Sequence, residues 1–531
     1  MASSIAEALL ARADDDTVGL LFEDRRLTWR EVVTECAARA ATYEAGQHLG
    51  VLLENVPEYV FILGGAALAG AVVVGINPTR RGEELARDIR HTDCSVVLTD
   101  DNGHALLDGL DIGCEALSAE LCALSAHNSA PKTPSPDALY CLVFTSGSTG
   151  APKAVQMSQG RAARTASLGA VAFGSDDVLY CAMPLFHGNA LFANLFPAMI
   201  SGAAVALRRK FSASEFMADV RRYHATYFNY VGRALSYILA QPESDLDADN
   251  ELKYCLGSEA SPADRKAFRK RFGCYVVEGY SSSEGGVVIT PYSGMPANAL
   301  GRPAEGVDVV VLNSETGEEC ERARFDDDGV LLNPTAAIGE IVGRDGLRSF
   351  EGYYNNAEAT AERGRNGWYW SGDLAYRSED GTFFFAGRSS DWLRVDGENF
   401  AAGPVENVIA RFKGVRGVVV YPVPDPRTGD LVMAAIEYDG EFDPDAFDAF
   451  FAAQPDVGTK WAPRFVRIVD AIPLTATGKV DRKPLRSERW ETDDVVWWKP
   501  TAKDPFRAYT VSDSGILRAQ FAEYGREALL T

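Results

Sequence analysis

The sequence predicts an α/β protein of at least two domains, and three observations carry that expectation. The chain has 531 residues, beyond the roughly 250–300 at which one hydrophobic core stops growing. Its first part alternates helical patterns with short apolar strands, the signature of βα units. From Asp308 to Gly387 the pattern changes to strands and glycine-rich turns, and a compact α+β stretch follows Arg388.

Residues 1 to about 128 hold the first βα units, with Ser95-Val96-Val97-Leu98-Thr99 as a typical strand. Tyr59 to Ile76 is an uncharged run of 18 residues, which reaches the lower edge for a membrane span. Its glycines argue otherwise: a helix from about Pro57 to Ala69, stopped at Gly70, then a strand over 71–76, both buried as in doubly wound sheets. No transmembrane span and no signal peptide are expected. Asn128 to Asp137 carries Pro131, Pro134 and Pro136 and reads as a linker. A second α/β stretch runs from 139 to about 295. The β-rich region at about 300–387 includes Val309-Val310-Val311-Leu312 and Thr382-Phe383-Phe384-Phe385. In the final α+β unit, Val418-Val419-Val420-Tyr421 reads as a strand and Pro424-Asp425-Pro426 as a turn.

Composition narrows the functional classes. A formal charge of −23 excludes a nucleic-acid partner, which needs a basic face. Nine cysteines without a CxxC pair, beside six histidines, speak against structural zinc and for free thiols in a reducing cytosol. A cytoplasmic protein is expected, open to peripheral membrane contact.

The chemistry is announced by Phe144-Thr145-Ser146-Gly147-Ser148-Thr149-Gly150-Ala151-Pro152-Lys153. Four hydroxyls, two glycines and a lysine fall within ten residues, directly after the apolar run Tyr140-Cys141-Leu142-Val143. A buried strand feeding such a loop suits an anion: glycine allows close backbone approach, N–H groups and hydroxyls surround phosphate oxygens, and the lysine neutralises charge. The spacing is not that of a Walker A loop, because only Ser148 and Thr149 separate Gly147 from Gly150 and Ala154 follows Lys153.

That decapeptide resembles the phosphate loop of the adenylate-forming superfamily, which holds acyl-CoA synthetases, luciferases and the adenylation domains of peptide synthetases. Further segments resemble the family's signatures in order. Pro184-Leu185-Phe186-His187-Gly188-Asn189 is similar to the segment beside the acyl and pantetheine sites. Tyr280-Ser281-Ser282-Ser283-Glu284 is similar to YGxTE, and Gly367 to Leu374 to GWxxTGD. Gly387-Arg388-Ser389-Ser390-Asp391 and Gly397-Glu398-Asn399 resemble the hinge and the GEN turn; Pro473 to Lys479 resembles the lysine loop. Within the superfamily, Ala225 to Arg233 with Ser236 to Leu239 is similar to very-long-chain acyl-CoA synthetases and fatty-acid transport proteins, with actinobacterial fatty-acid–CoA ligases nearest. Asp396 stands where most relatives carry glycine, and a tail extends from Trp490 to Thr531.

The resemblance implies a large N-terminal domain over 1–388 and a small mobile lid over 389–531, joined near Ser390. It implies that Thr145, Ser146, Ser148, Thr149 and Lys153 hold the β- and γ-phosphates of ATP around Gly147 and Gly150. Glu284 would bind Mg2+, and Ser283 would offer its hydroxyl near the α-phosphate. Tyr280 would stack on adenine, with Gly257, Ser258 and Glu259 lining the base pocket. Asp373 and Arg388 would hold the ribose. Gly397 would let the pantetheine arm of CoA pass, His187 would act beside the active site, and Lys479 would serve adenylation. Asn189 to Phe196, Tyr227 to Gly232 and Gly285 to Val287 would form an acyl pocket suited to a hydrophobic acid.

The expected activity is ATP-dependent ligation of a hydrophobic carboxylic acid to CoA through an acyl-adenylate. A long-chain fatty acid is the leading substrate. A sterol side-chain or other ring-bearing acid is an alternative, as is transfer to a carrier protein, although the tail has no Gly-Gly-x-Ser attachment site. A lipid-transport or scaffolding protein with a degenerate site is the reading from another class; retention of Lys153, Glu284, Asp373, Arg388 and Lys479 argues against it.

Overall fold

The computed structural model describes residues 2–530 apart from 121–132, 146–152, 259, 261, 297, 327–330, 389–391, 396–397, 428, 455–456, 458–459 and 476–477. The chain forms two compact units. One comprises residues 1–288, 345–369 and 476–478, the other 289–344, 370–475 and 479–531.

The first unit holds two sheets with mainly parallel strands. One runs in the order Glu115–Ser118, Val96–Thr99, His48–Leu52, Val72–Gly75, Leu139–Phe144, Ala154–Ser158. Only its last pair is antiparallel. The uncharged run resolves as expected: helix Pro57–Ala69, a left-handed C-cap at Gly70, then Val72–Gly75. The helix crosses between parallel strands and is buried on nearly every face, which explains why it carries no polar stripe. Among the described residues, no helix is long and apolar enough to cross a membrane.

The other sheet runs Tyr275–Glu278, Tyr254–Gly257, Tyr227–Asn229, Val178–Cys181, Ala204–Leu207, Val18–Phe22, Arg25–Thr28, parallel except for the final hairpin. Ligands of such sheets bind beyond the carboxyl ends of the strands, and here those ends are Glu278, Gly257, Asn229 and Cys181.

The second unit begins with the β-rich stretch. Val309–Leu312 pairs antiparallel with Gly339–Gly343, and Tyr369–Arg377 with Phe383–Arg388. A further sheet runs Val415–Pro424, Asp430–Tyr438, Phe465–Val469, Val495–Trp498, Arg507–Ala508. Its last two strands come from the tail. Phe465 stacks with two tail tryptophans, with ring centroids 4.7 Å from Trp490 and 6.0 Å from Trp498. Helix Val511–Glu523 adds Leu517 and Phe521 to that core. The tail is thus an integral part of this sheet. The eight cysteines described are all free thiols.

Gly75 ends its strand against the backbone of Phe186, next to His187. A methyl there would stand 2.9 Å from the Phe186 carbonyl oxygen and 3.0 Å from its Cα, a contact that only a backbone shift can relieve. Gly75→Ala is therefore expected to destabilise the protein by about 1–3 kcal/mol. Urea unfolding checks this: the midpoint should fall with the slope unchanged, and an unmoved midpoint would show that the Phe186 segment yields freely.

Candidate active site

The phosphate-loop segment joins two antiparallel strands. Leu139–Phe144 pairs antiparallel with Ala154–Ser158, Phe144 lies opposite Ala154, and the Thr145 amide donates to the Lys153 carbonyl at 3.0 Å. Thr145 and Lys153 are therefore brought together at its base. Ser146, Gly147, Ser148, Thr149 and Gly150 lie outside the described residues.

Lys153 and Glu284 meet through a residue that sequence reasoning missed. The Lys153 ammonium lies 5.9 Å from the centroid of the Tyr353 ring and 3.9 Å from Glu362. The Tyr353 hydroxyl donates to Glu284 Oε1 at 2.7 Å and accepts from Arg363 Nε at 3.3 Å. Glu284 is only 6 % exposed. Its Oε2 has no hydrogen-bond partner among the described residues. Burial pushes the Tyr353 phenol up, reinforced by the charge of Glu284. Burial opposes the charge of Arg363, but Tyr353, Tyr369 and Glu284 outweigh it and hold the guanidinium above its ordinary pKa.

Arg161 is the second missed residue. Nearly buried, it donates to the Ser283 carbonyl at 2.6 Å and the Gln156 carbonyl at 2.8 Å. Burial lowers its pKa, countered by Glu351 and Glu284. It fixes the backbone at Ser283-Glu284. Ser283 faces the His187 segment: a Cβ added at Gly188 would lie 3.0 Å from Ser283 Oγ. His187 caps the short helix Gly188–Ala190, its Nδ1 accepting from the Asn189 amide at 3.2 Å. In the neutral ring the proton is then on Nε2.

At the carboxyl ends of the second sheet, Gly257 packs against the Tyr230 ring with no room for a side chain. The Ser258 carbonyl accepts from the Gly232 amide at 2.9 Å. Glu278 organises this end. Its Oε1 accepts from the Tyr230 hydroxyl at 2.9 Å and the Ala260 amide at 2.7 Å, and Arg265 lies 4.0 Å from its Oε2. Tyr280 is half-buried two residues further on, and Glu259 lies outside the described residues. Gly232 has φ +65°, so backbone conformation accounts for glycine there, independent of any gap in an acyl channel.

The acyl-pocket windows 189–196 and 227–232 do come together. Leu191–Leu195 forms a π-helical turn, and the Tyr227 hydroxyl donates to the Ala193 carbonyl at 2.8 Å. Asn194 Nδ2 donates to Asn229 Oδ1 at 2.8 Å, and Asn229 Nδ2 to Asn189 Oδ1 at 2.7 Å.

In the second unit, Asp373 and Arg388 stand directly opposite each other in the Tyr369–Arg377/Phe383–Arg388 pair. The Ser371 hydroxyl accepts from the Asp373 amide at 3.1 Å. Lys479 is paired with Thr475: its carbonyl accepts from the Thr475 amide at 2.7 Å, and its amide donates to Thr475 Oγ1 at 3.2 Å. Gly397, Ser390 and Asp396 lie outside the described residues. Among those described, no group of three or more His, Cys, Asp or Glu could hold a metal ion.

Tyr353 and Arg363 had a faint signal in the sequence, two tyrosines between Gly352 and Asn355-Asn356 ahead of a short amphipathic segment. Arg161 and Glu278 had none.

Residues 8–354 match the family "AMP-binding enzyme" and residues 404–479 the "AMP-binding enzyme C-terminal domain". The chain is 47% identical to steroid-22-oyl-CoA synthetase of Rhodococcus jostii, over 99% of each chain. It is 42% identical to medium/long-chain-fatty-acid–CoA ligase FadD17 of Mycobacterium tuberculosis, over 93% of this chain and 98% of that one. Its fold is similar to that of ATP-bound MatB from Rhodopseudomonas palustris, with a TM-score of 0.79 at 22% identity, covering 92% of this chain and 98% of that one.

The Tyr353–Glu284 bond links segments 69 residues apart. Tyr353→Phe should lower unfolding free energy by about 1–3 kcal/mol, since a buried carboxylate oxygen loses its donor. A double-mutant cycle with Glu284→Gln should return a coupling of at least about 0.5 kcal/mol. Strict additivity would mean that the two side chains do not support each other.

Proposed function

The chain belongs to the AMP-binding enzyme family, and within it we propose an acid–CoA ligase whose substrate is a steroid bearing a side-chain carboxylate. The reaction class is AMP-forming: ATP and the acid give an acyl-adenylate and pyrophosphate, and CoA then displaces AMP to give the thioester. What carries the substrate reading is the end-to-end match to steroid-22-oyl-CoA synthetase, 47% identical over 99% of both chains. A medium- or long-chain fatty acid is the second reading, supported by the 42% identity to FadD17.

Joining a carboxylate to the α-phosphorus sets two anions against each other, so positive charge and aligned donors must screen them. In this reading Lys153 and the hydroxyls of Thr145, Ser146, Ser148 and Thr149 hold the β- and γ-phosphates, while Gly147 and Gly150 let the backbone approach. Mg2+ fits Glu284: a buried carboxylate with one oxygen held by Tyr353 and the other unengaged is a hard oxygen donor of the kind this ion takes together with phosphate oxygens. When bound, the ion neutralises charge on the phosphates. Ser283 directs its hydroxyl to the α-phosphate. Tyr280, Gly257, Ser258 and Glu259 receive adenine, Asp373 and Arg388 the ribose hydroxyls, and Gly397 the pantetheine arm. His187 borders the acyl site. The functional division falls between 388 and 389, with Ser390 as the hinge of the lid.

A panel of carboxylic acids tests the substrate. Purified protein with ATP, Mg2+ and CoA should release AMP fastest with steroid side-chain acids, ahead of fatty acids of any length. Turnover confined to fatty acids would replace the steroid reading with the second one.

Lys479 is assigned to adenylation alone. Its ammonium would stabilise charge shared between the attacking oxygen and the α-phosphate, a contact stronger in the transition state than in the ground state. Removing one such partner costs on the order of 10²–10³ in rate. Lys479→Ala should therefore cripple pyrophosphate exchange by that factor, while preformed acyl-adenylate and CoA still yield thioester at near-normal rate. Equal loss in both assays would end the catalytic assignment.

A further inference from the structure

We infer that Asn189 is held as a hydrogen-bond donor to the substrate's carboxylate by a directed ladder of buried amides, Asn194 to Asn229 to Asn189. This rests on the ligase reading of the site and adds to it a substrate-contacting residue and two positioning residues.

The direction of the ladder is set by the Tyr180 carbonyl. A backbone carbonyl can only accept, so the Asn194 atom 3.1 Å from it is Nδ2. The same Nδ2 donates to Asn229 Oδ1 at 2.8 Å. Asn194 is fully buried, and its Oδ1 has no partner among the described residues. Turning that amide over would set its oxygen against two other acceptors, so the orientation is fixed. Asn229, also buried, must then present Oδ1 to Asn194 and Nδ2 to Asn189 Oδ1, 2.7 Å away. That leaves the Asn189 amide with its nitrogen directed away from the ladder. Asn189 is half-buried and makes no other side-chain hydrogen bond among the described residues. It follows Gly188, whose added Cβ would stand 3.0 Å from Ser283 Oγ. The donor thus borders the place where carboxylate and α-phosphate meet in the proposed reaction. A carboxylate only accepts hydrogen bonds, so an amide with its N–H2 outward matches it and one with its oxygen outward repels it. The π-turn Leu191–Leu195 puts an extra residue into the helix, and such turns commonly re-aim side chains at functional sites.

Asn229→Asp tests the polarity from the buried position behind Asn189. An ionised aspartate still accepts from Asn194 but cannot donate to Asn189, whose amide then turns over and offers its oxygen. With the acid that the wild type uses best, KM for the acid should rise roughly 10- to 100-fold, the loss that accompanies one hydrogen bond to a charged group. KM for ATP should stay within about twofold, and the primary amide of the same acid should inhibit more strongly than it inhibits wild type. Asn189→Asp, which keeps the inner acceptor and removes the outer donor, should shift acid and amide in the same directions, and it decides the matter if the Asn229 variant fails to fold. An unchanged acid KM, or acid, amide and ATP weakened together, would overturn the inference while leaving the ligase reading intact. A wild type that adenylates no carboxylic acid would overturn that reading and this inference with it.

Discussion

Much of the candidate site depends on burying one carboxylate. Glu284 is taken out of water, and desolvating it unpaired would cost several kcal/mol. The surroundings offset that cost without closing the site. The Tyr353 hydroxyl satisfies one oxygen. Arg363 and Arg161 lend positive charge while donating hydrogen bonds to the Tyr353 hydroxyl and to backbone carbonyls respectively. Lys153 lies over the Tyr353 ring rather than on the carboxylate. Positive charge is therefore gathered around Glu284 while its Oε2 has no hydrogen-bond partner among the described residues. Were an arginine to form a bidentate pair with it, the pair would be stronger and both oxygens would be occupied.

The same logic explains why the site sits where it does. Parallel sheets need crossover helices on both faces, so the region beyond their carboxyl ends is where loops can converge without disturbing the core. The second sheet of the first unit brings Gly257, Glu278 and Asn229 to that edge. Each does a different task there. Gly257 leaves room for the Tyr230 ring, Glu278 ties that ring to the Ala260 amide, and Asn229 continues into the asparagine ladder.

Legibility in the sequence followed locality. The helix Pro57–Ala69, its Gly70 stop and the following strand could be read because helix and strand periods and a glycine are local signals. Val309–Leu312 has the bounds expected, whereas Val415–Pro424 is longer than the four residues expected, since flanks broken by Arg416, Gly417 and two prolines join the ladder only through pairing with Asp430–Tyr438. The contiguous motifs around Lys153, Glu284, Asp373 and Lys479 were equally plain. Tyr353, Arg161 and Glu278 were not, because their importance arises from partners 69, 122 and 48 residues away. Nothing in a tyrosine or an arginine taken alone separates a site residue from a packed one. Gly232 shows the same limit: its φ of +65° requires glycine-like freedom that no local sequence signal announces.

The tail illustrates the remaining gap. Beyond Trp490 the sequence has no motif, and its tryptophans could as well have been surface anchors. Their role appears only in pairing, where Val495–Trp498 lies antiparallel to Phe465–Val469 and sets Trp498 and Trp490 against the Phe465 ring. A strand that extends a sheet covers an edge that would otherwise offer unpaired backbone groups. In this chain the covered edge is Phe465–Val469, joined on its far side to the strand Asp430–Tyr438. That strand carries Glu437, whose carboxylate accepts from the Ile472 amide just ahead of the lysine loop. The tail therefore stiffens the platform from which Lys479 projects, a structural role that needs no chemistry of its own.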